Sequence, residues 1–355
     1  MNESYKKQWE EFRDQELIKV TLLLEQLGFS LEDKQVHISG ERYLTGSKKL
    51  VLVGRKNSDN QKVIIKVSSD PDVIREIEDE RKSRNILKSI NFAYHIFNSP
   101  KEILYTKRQD HLIFVTEFID QETTFLERVL VEQFFIALKA FEAQEAIHAT
   151  TYEHSNVIRD TFGIWDANTY LKNLVSYLDC IEGQPEVLNK AKEFIENNLE
   201  TIDVYCNFLT HWDLVPHNFR VRGHDMYLLD HSSLRFGNKY EGWARFINFM
   251  TLHNPSLEKL LLNYIKDNRD QSEYLSLKLM RVFRLVELIW YYSSTLENTA
   301  GNHRILNTKR IELWSTVLSN VLDDKSTDDN IIEEYKRQRD SLRSPEEKQR
   351  QDKLH

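Results

Sequence analysis

The stretch Thr210-His211-Trp212-Asp213-Leu214-Val215-Pro216-His217-Asn218, with Asp230 twelve residues further on, decides how this chain is read. Its order is H-x-D-L-x-x-x-N, then an apolar run, then Asp. Phosphoryl transfer asks a protein mainly for positioning and charge neutralisation, and these side chains suit both tasks. Asp213 can orient an attacking hydroxyl and accept its proton. Asn218 and Asp230 can hold a magnesium ion against nucleotide phosphates. Met226-Tyr227-Leu228-Leu229 follows a turn signal at Gly223 and has the length of a short buried strand, so Asp230 comes at the strand's end beside the loop. Magnesium prefers hard oxygen ligands and keeps several waters, so an Asn, an Asp and phosphates suffice. Two alternatives remain open for this segment. Asn and Asp in loops often only cap turns. His211, Asp213, His217 and His231 are also imidazole and carboxylate groups of the kind that bind zinc in hydrolases.

Upstream of this segment the pattern is that of strands. Val36–Ile38, Leu50–Val53 and Val63–Val67 read as a three-strand meander, with a turn cluster at Asn57-Ser58-Asp59-Asn60. The loop from Gly40 to Lys48, containing Gly46 and Ser47, lies where backbone amides could cover phosphates; a plain hairpin loop explains it equally well. Lys66 falls in the third strand among apolar neighbours, a poor place for an unpaired cation. Ser69 or Asp70 then caps a helix with Pro71 in its first turn. That helix runs through Val73, Ile74, Ile77, Ile86, Leu87 and Ile90 and carries Glu76, Glu78 and Glu80. A strand Lys paired with a helix Glu would be fixed against the α- and β-phosphates; the alternative is a surface Lys and solvated glutamates. Leu112–Ile119 is a further strand that runs directly into a helical region, as a hinge between lobes would.

The remainder is mainly helical. Residues 4–27 carry Trp9, Phe12, Val20, Leu23, Leu24 and Leu27 at helical spacing, and Gly28 follows as a stop. From Val129 onward, Val131, Phe134, Phe135, Leu138 and Phe141 form an apolar stripe continued by Ile147. Two helical segments within 168–200 are divided by Gly183-Gln184-Pro185, and Leu257–Tyr264, Tyr274–Leu296 and Ile311–Leu322 follow. Residues 323–355 are highly charged with few apolar anchors, which predicts a solvated helix or a disordered tail.

A chain of 355 residues can bury a sizeable core and form two lobes. Its net charge of −8 argues against a general nucleic-acid binder, which would carry a basic face. Neither Cys180 nor Cys206 sits in a C-x-x-C pair, so no disulfide framework is expected, and a reduced, cytoplasmic setting is the default. The polar N-terminal stretch does not read as a secretory signal, and no apolar run approaches a membrane span.

With a β-rich lobe, a strand Lys, a helix Glu, a hinge and H-x-D-L-x-x-x-N…D in that order, the chain resembles the aminoglycoside phosphotransferase and choline kinase-like families over roughly residues 30–320. The resemblance is specific at 210–237. The family's H-G-D-L-H-P-G-N is matched by His211 through Asn218, and Pro216 between Asp and Asn favours this family over protein kinases. Leu228-Leu229-Asp230-His231 through Phe236-Gly237 is similar to the family's metal-binding segment.

The resemblance implies an α+β, protein-kinase-like fold of two lobes. A helical extension at 1–28 would precede a small antiparallel-sheet lobe at 29–119. A larger helical lobe at 120–322 and a charged tail at 323–355 would follow. It implies ATP and Mg2+, a small-molecule hydroxyl acceptor, and neither nucleic acid nor membrane as partner. Asp213 would be the base, with His211 organising its loop. Asn218 and Asp230 would hold the metal. Lys66, paired with Glu80, would meet the phosphates with Gly46 and Ser47, and Glu117 and Ile119 would offer hinge backbone groups to adenine. His148-Ala149 would close the helix that in the family ends in Leu-His. The chain departs from the pattern at Trp212 and His217, which replace glycines. It also has Gly242-Trp243-Ala244 where the family has Asp-Leu-Ala. Two functions follow from these residues: a small-molecule kinase, or a kinase-like protein that binds nucleotide or a partner with little turnover. Phosphorylation of proteins is less favoured, because Asp230-His231-Ser232 stands where D-F-G would.

Overall fold

The computed structural model describes residues 2–89, 98–151, 161–181, 183, 185–223 and 225–352. Helix α1 (Asn2–Gln26) ends at Gly28, whose φ of +81° is the left-handed conformation that favours glycine. Strands β1 (Phe29–Leu31), β2 (Leu50–Lys56), β3 (Lys62–Ser68), β4 (Glu102–Arg108) and β5 (His111–Glu117) form an antiparallel sheet of order β1-β2-β3-β5-β4. Alternation along the strands separates its faces. Leu50, Leu52, Val63, Ile65, Val67, Ile113 and Val115 turn to one side, against Trp9, Val20, Leu23 and Leu24 of α1. Burial of each such side chain stabilises the fold by about 1.5–3 kcal/mol. Helix α1 is therefore part of the sheet lobe and not an appendage. On the other face, helix α2 (Pro71–Ser89) packs Val73 and Ile77 against Leu112 and Phe114. It leaves Val51, Ile64, Lys66 and Thr116 facing the space between the lobes. The helix begins where Asp70 accepts hydrogen bonds from the amides of Asp72 and Val73. Ile90, expected in this helix, lies outside the described residues.

The first expected strand is not one. Val36–Ile38 forms a 3-10 turn, and a second 3-10 segment covers Gly40–Thr45. Gln35 explains the difference: its side-chain amide donates to Val53 O and accepts from Val53 N, both at 2.8 Å. A side chain thus takes the place of a strand partner, and the backbone pairing of β2 falls to Phe29–Leu31 instead. Strand β4 was not expected at all. It is an edge strand, half-buried and rich in charged residues, so it carries little apolar periodicity.

The second lobe is built around helix α7 (Glu241–His253), buried along almost its whole length, and helix α9 (Gln271–Thr295). Helices α3 (Leu130–Thr151), α4 (Ala167–Asp179), α5 (Glu186–Glu196), α6 (Leu199–Val204), α8 (Pro255–Asn268) and α10 (Gly301–Leu322) complete it. Two small antiparallel pairs carry the motif: β6 (Phe208–His211) pairs with β9 (Leu234–Gly237), and between them β7 (Phe219–Arg222) forms a hairpin with β8 (Asp225–Leu228). The stripe expected on α3 is offset. Val131 and Phe135 are each 64 % exposed, and the helix buries Gln133, Ala137, Ala140, Phe141 and Gln144 instead. The two alanines let it approach the core closely, where Phe141 stacks on Trp243 with centroids 4.3 Å apart. The side chains of Ile147, His148 and Ala149 lie outside the described residues.

The charged tail is also ordered. It forms helices α11 (Asp329–Leu342), which buries Ile332 and Tyr335, and α12 (Pro345–Asp352). Helix α12 reaches the sheet lobe, where the Glu347 carboxylate accepts from the amide of Glu41 at 2.9 Å. Among the described residues, no helix is long and apolar enough to cross a membrane.

Candidate active site

Pro216 shapes the central loop. A residue before proline is pushed to extended backbone, and Val215 has φ −139° and ψ 160°. The chain then closes a 3-10 turn, Pro216–Asn218, with the Asn218 amide on Val215 O. This returns the Asn218 side chain to Asp213: its Nδ2 donates to Asp213 O at 2.8 Å and to Oδ2 at 2.9 Å. The amide nitrogen is used in this way, so Oδ1 is the atom of this side chain that could ligate a metal. Strand β8 brings the second carboxylate alongside, because the amide of Leu229 donates to Asn218 O at 2.9 Å. The Ser232 amide and hydroxyl donate to Asp230 Oδ1, and the Ser233 hydroxyl donates to Oδ2.

His211 is fully buried, and its Nε2 donates to Asp230 O at 2.7 Å. A carbonyl only accepts, so this nitrogen carries the proton. Burial lowers the pKa of His211, so the ring is neutral near pH 7. The ring therefore links the two ends of the motif. Burial pushes the Asp230 carboxyl up, but Lys66, Lys49 and the Ser232 hydroxyl outweigh this and hold it well below the usual carboxylate range. At Asp213, burial is likewise outweighed by Arg245, Arg284 and His211.

Across the cleft Lys66 donates to both oxygens of Glu80, at 2.7 and 2.6 Å, and Glu80 is 1 % exposed. Lys66, Glu80, Glu117, Ile119, Asn218 and Asp230 all line one cavity of about 340 Å³ between the lobes. Asp213 adjoins it through Asn218, and His211 through the Asp230 carbonyl. Gly46 and Ser47 are not among its lining residues. Gly46, at φ +63°, caps the 3-10 segment, and the Ser47 hydroxyl accepts from the Lys49 amide. From that loop region His37, Arg42 and Lys49 face the cavity instead. At the hinge, the amides of Glu117 and Phe118 are spent inside the fold, on Lys101 O and Lys62 O.

Several site residues escaped the sequence. Lys49 was legible in principle: it immediately precedes β2, two residues before Val51, and both line the cavity. Arg245 was not. It lies on α7, and its Nε donates to Asp213 Oδ1 at 2.8 Å. The carboxylate at the start of this helix is Glu241, fully buried against Arg235 and the Tyr170 hydroxyl. Gly242 lies so close to the catalytic loop that an added Cβ would come within 2.7 Å of His211 O and 2.6 Å of Gln144 Oε1. Trp212 fits where the family has glycine because the guanidinium groups of Arg235 and Arg284 lie over its ring, 5.5 and 5.2 Å from the centroid.

Among the described residues, no group of three or more His, Cys, Asp or Glu side chains is placed to hold a metal ion, so His211, Asp213, His217 and His231 are not gathered into such a group. Asp230 and Asn218 line one cavity wall and carry the hard oxygen donors that would suit a magnesium ion.

No protein-family model matches the chain, and no curated protein matches it by sequence. Solved structures do match in shape. The macrolide 2'-phosphotransferase MphH from Brachybacterium faecium is similar at a TM-score of 0.54 and 13 % identity, over 84 % of this chain and 98 % of that one. Aminoglycoside phosphotransferase APH(4)-Ia is similar at a TM-score of 0.56 and 12 % identity, over 90 % of this chain and 100 % of that one. Spectinomycin phosphotransferase APH(9)-Ia, solved with ADP and spectinomycin, is similar at 0.51 and 16 % identity, over 88 % and 96 %. The chain has the two-lobed, protein-kinase-like α+β fold of the aminoglycoside and macrolide phosphotransferases.

Proposed function

We propose that this protein is a small-molecule kinase that moves the γ-phosphoryl group of ATP to a hydroxyl. The observation that carries the proposal is convergence: the Lys66–Glu80 pair, the hinge, Asn218 and Asp230 meet in one cavity, with Asp213 bonded to Asn218 at its edge. Lys66, fixed by Glu80, offsets phosphate charge. Lys49, just before β2, adds a second cation. At the hinge Glu117 offers its carbonyl and Ile119 its amide to an adenine edge, since the Glu117 amide is already bonded. Asn218 and Asp230 would hold magnesium, which when bound neutralises charge on the transferring phosphates. Asp213 keeps lone pairs on both oxygens despite Arg245 and Asn218, so it can accept the acceptor's proton. His211 is a positioning residue. Structures of similar fold have ADP and an antibiotic bound, which supports nucleotide binding here.

Acceptor-dependent ADP release from magnesium-ATP, measured over a pooled panel of hydroxyl compounds, tests the proposal. The Asp213→Asn variant should lose at least ~100-fold in kcat. Equal turnover in the variant would refute the role of Asp213. One observation favours the second function, a nucleotide-binding protein with little turnover: both Asp213 oxygens are already engaged. ATP binding with no release above background across the panel would select it.

A further inference from the structure

A second cavity, of about 240 Å³, adjoins the nucleotide cleft and shares His217 and Arg350 with it. Its wall is strongly basic. Arg245, Arg310, Arg339, Arg343 and Arg350 line it, against only two carboxylates, Glu41 and Glu347. The chain as a whole carries a net charge of −8, so the cavity has the opposite sign to the molecule. The two carboxylates are already committed. Glu347 is paired with Arg350 and with the Glu41 amide. Glu41 lies 3.0 Å from His303 and 3.8 Å from Arg310. Arg245 is bonded to Asp213.

Two guanidinium groups are only partly compensated, since the carboxylate near Arg343, Glu347, is bonded to Arg350 and to the Glu41 amide. Among the described residues, Arg339 pairs only with its neighbour Asp340, whose side chain is 56 % exposed. Arg343 makes no ion pair among the described residues, and its Nε is buried without a hydrogen-bond partner. Burial and the nearby Arg310 and Arg339 lower its pKa. A partly buried cation in this state is costly, and an anion would offset the cost with charge-assisted bonds to planar guanidinium donors. A cationic amine would be repelled. Phe249, Tyr291, Tyr292 and Trp314 add aromatic faces to the wall. The volume lies below the ~300 Å³ at which drug-sized sites begin.

We propose that the acceptor is a compact anionic alcohol, a hydroxyl compound already bearing a phosphate or a carboxylate, whose oxyanion is held by Arg339 and Arg343. The assignment rests on the kinase function above and narrows its substrate class. The alcohol oxygen forms a bond to the γ-phosphorus, the bond from that phosphorus to the β,γ-bridging oxygen breaks, and ADP leaves with that electron pair. The hydroxyl proton passes to Asp213 and then to solvent. The products are a phosphate ester with a second anionic group, ADP and a proton.

The test uses the full chain in two assays. The first reads binding of inorganic phosphate and of gluconate by calorimetry, without nucleotide, and so compares the two sources of the oxyanion. Saturable binding of either that weakens at least tenfold in Arg343→Gln and in Arg339→Gln is the expected result. Both variants are checked by thermal melting, and Arg343→Lys should retain part of the affinity. The second assay offers phosphate monoesters, hydroxycarboxylates, neutral polyols and cationic aminoglycosides with magnesium-ATP. An anionic acceptor should be preferred, and Arg343→Gln should raise its KM at least tenfold with kcat within about twofold. Absence of anion binding, or binding indifferent to both arginines, overturns the inference. So does turnover of an aminoglycoside in preference to every anion, which leaves the kinase function intact. Arginine-dependent anion binding without any ADP release supports the anion site and counts against the kinase.

Discussion

Lys66 and Glu80 show how a single pair can be separated into stability and function. Glu80 is 1 % exposed and the Lys66 side chain 15 %, so neither is freely solvated. Removing one partner strands a buried charge, which costs about 3–5 kcal/mol, whereas removing both with apolar replacements is often close to neutral. Lys66→Met should therefore lower the unfolding free energy by about 3 kcal/mol in urea titration. The double variant Lys66→Met/Glu80→Leu should recover most of that loss while ATP affinity stays low. Full recovery of ATP binding in the double variant would show that the pair is only structural. Asp213 differs, because its partners approach from three elements: Asn218 from its own loop, Arg245 from α7 and Arg284 from α9.

At the scale of elements, two contacts determine where the catalytic loop and the loop over the cleft sit. The first is the start of α7 against the backbone of His211. Gly242→Ala would put a methyl group 2.7 Å from His211 O, and the helix, buried along its length, has nowhere to retreat. Overpacking of this kind costs about 1–3 kcal/mol. The melting temperature should fall and, because the loop must shift, kcat should fall more than ATP affinity. The second contact joins α12 to the Gly40–Thr45 segment. Glu347→Ala would leave the buried Glu41 amide without an acceptor and free Arg350, at a cost of about 1–3 kcal/mol. Amide exchange across residues 36–45 should accelerate more than exchange in β2 or β3. Equal acceleration everywhere would mean that α12 does not fasten this loop.

At the scale of the whole molecule, buried imidazoles make stability depend on pH. His211 and His231 are almost completely buried, and burial lowers the pKa of both. The unfolded state, with ordinary values near 6.5, binds protons first as the pH falls. Their contribution is fully present above about pH 6.5. It is lost as the pH falls toward the lowered folded values, at up to about 1.4 kcal/mol per pH unit for each ring. Asp213 and Asp230 add the same sign at lower pH, since their folded values are depressed below the ordinary ~3.9. Unfolding midpoints in urea should therefore drop between pH 7 and pH 5. A flat profile over that range would mean that neither ring is held neutral.

Local chemistry made much of this protein legible in the sequence. Periodicity marked β2, β3, β5 and most helices, because alternate or helical-face residues must bury together. Pro216, between Asp213 and Asn218, marked a loop whose conformation depends on its own residues. Lys66 and Glu80 fell on consecutive elements, so their meeting needed only a strand packed on the next helix. What escaped depended on contacts between residues far apart in the chain. A Gln35 side chain displaced a strand, and Arg245 came to Asp213 from a helix 32 residues away. A tail that composition marked as solvated folded back onto the sheet lobe through one buried carboxylate, Glu347. The sequence alone determined which groups could do the chemistry, since that depends on residue type and local spacing. Only the tertiary structure decided which charges face the arginine-lined cavity, because its arginines come from α7, α10, α11, α12 and the segment between the last two.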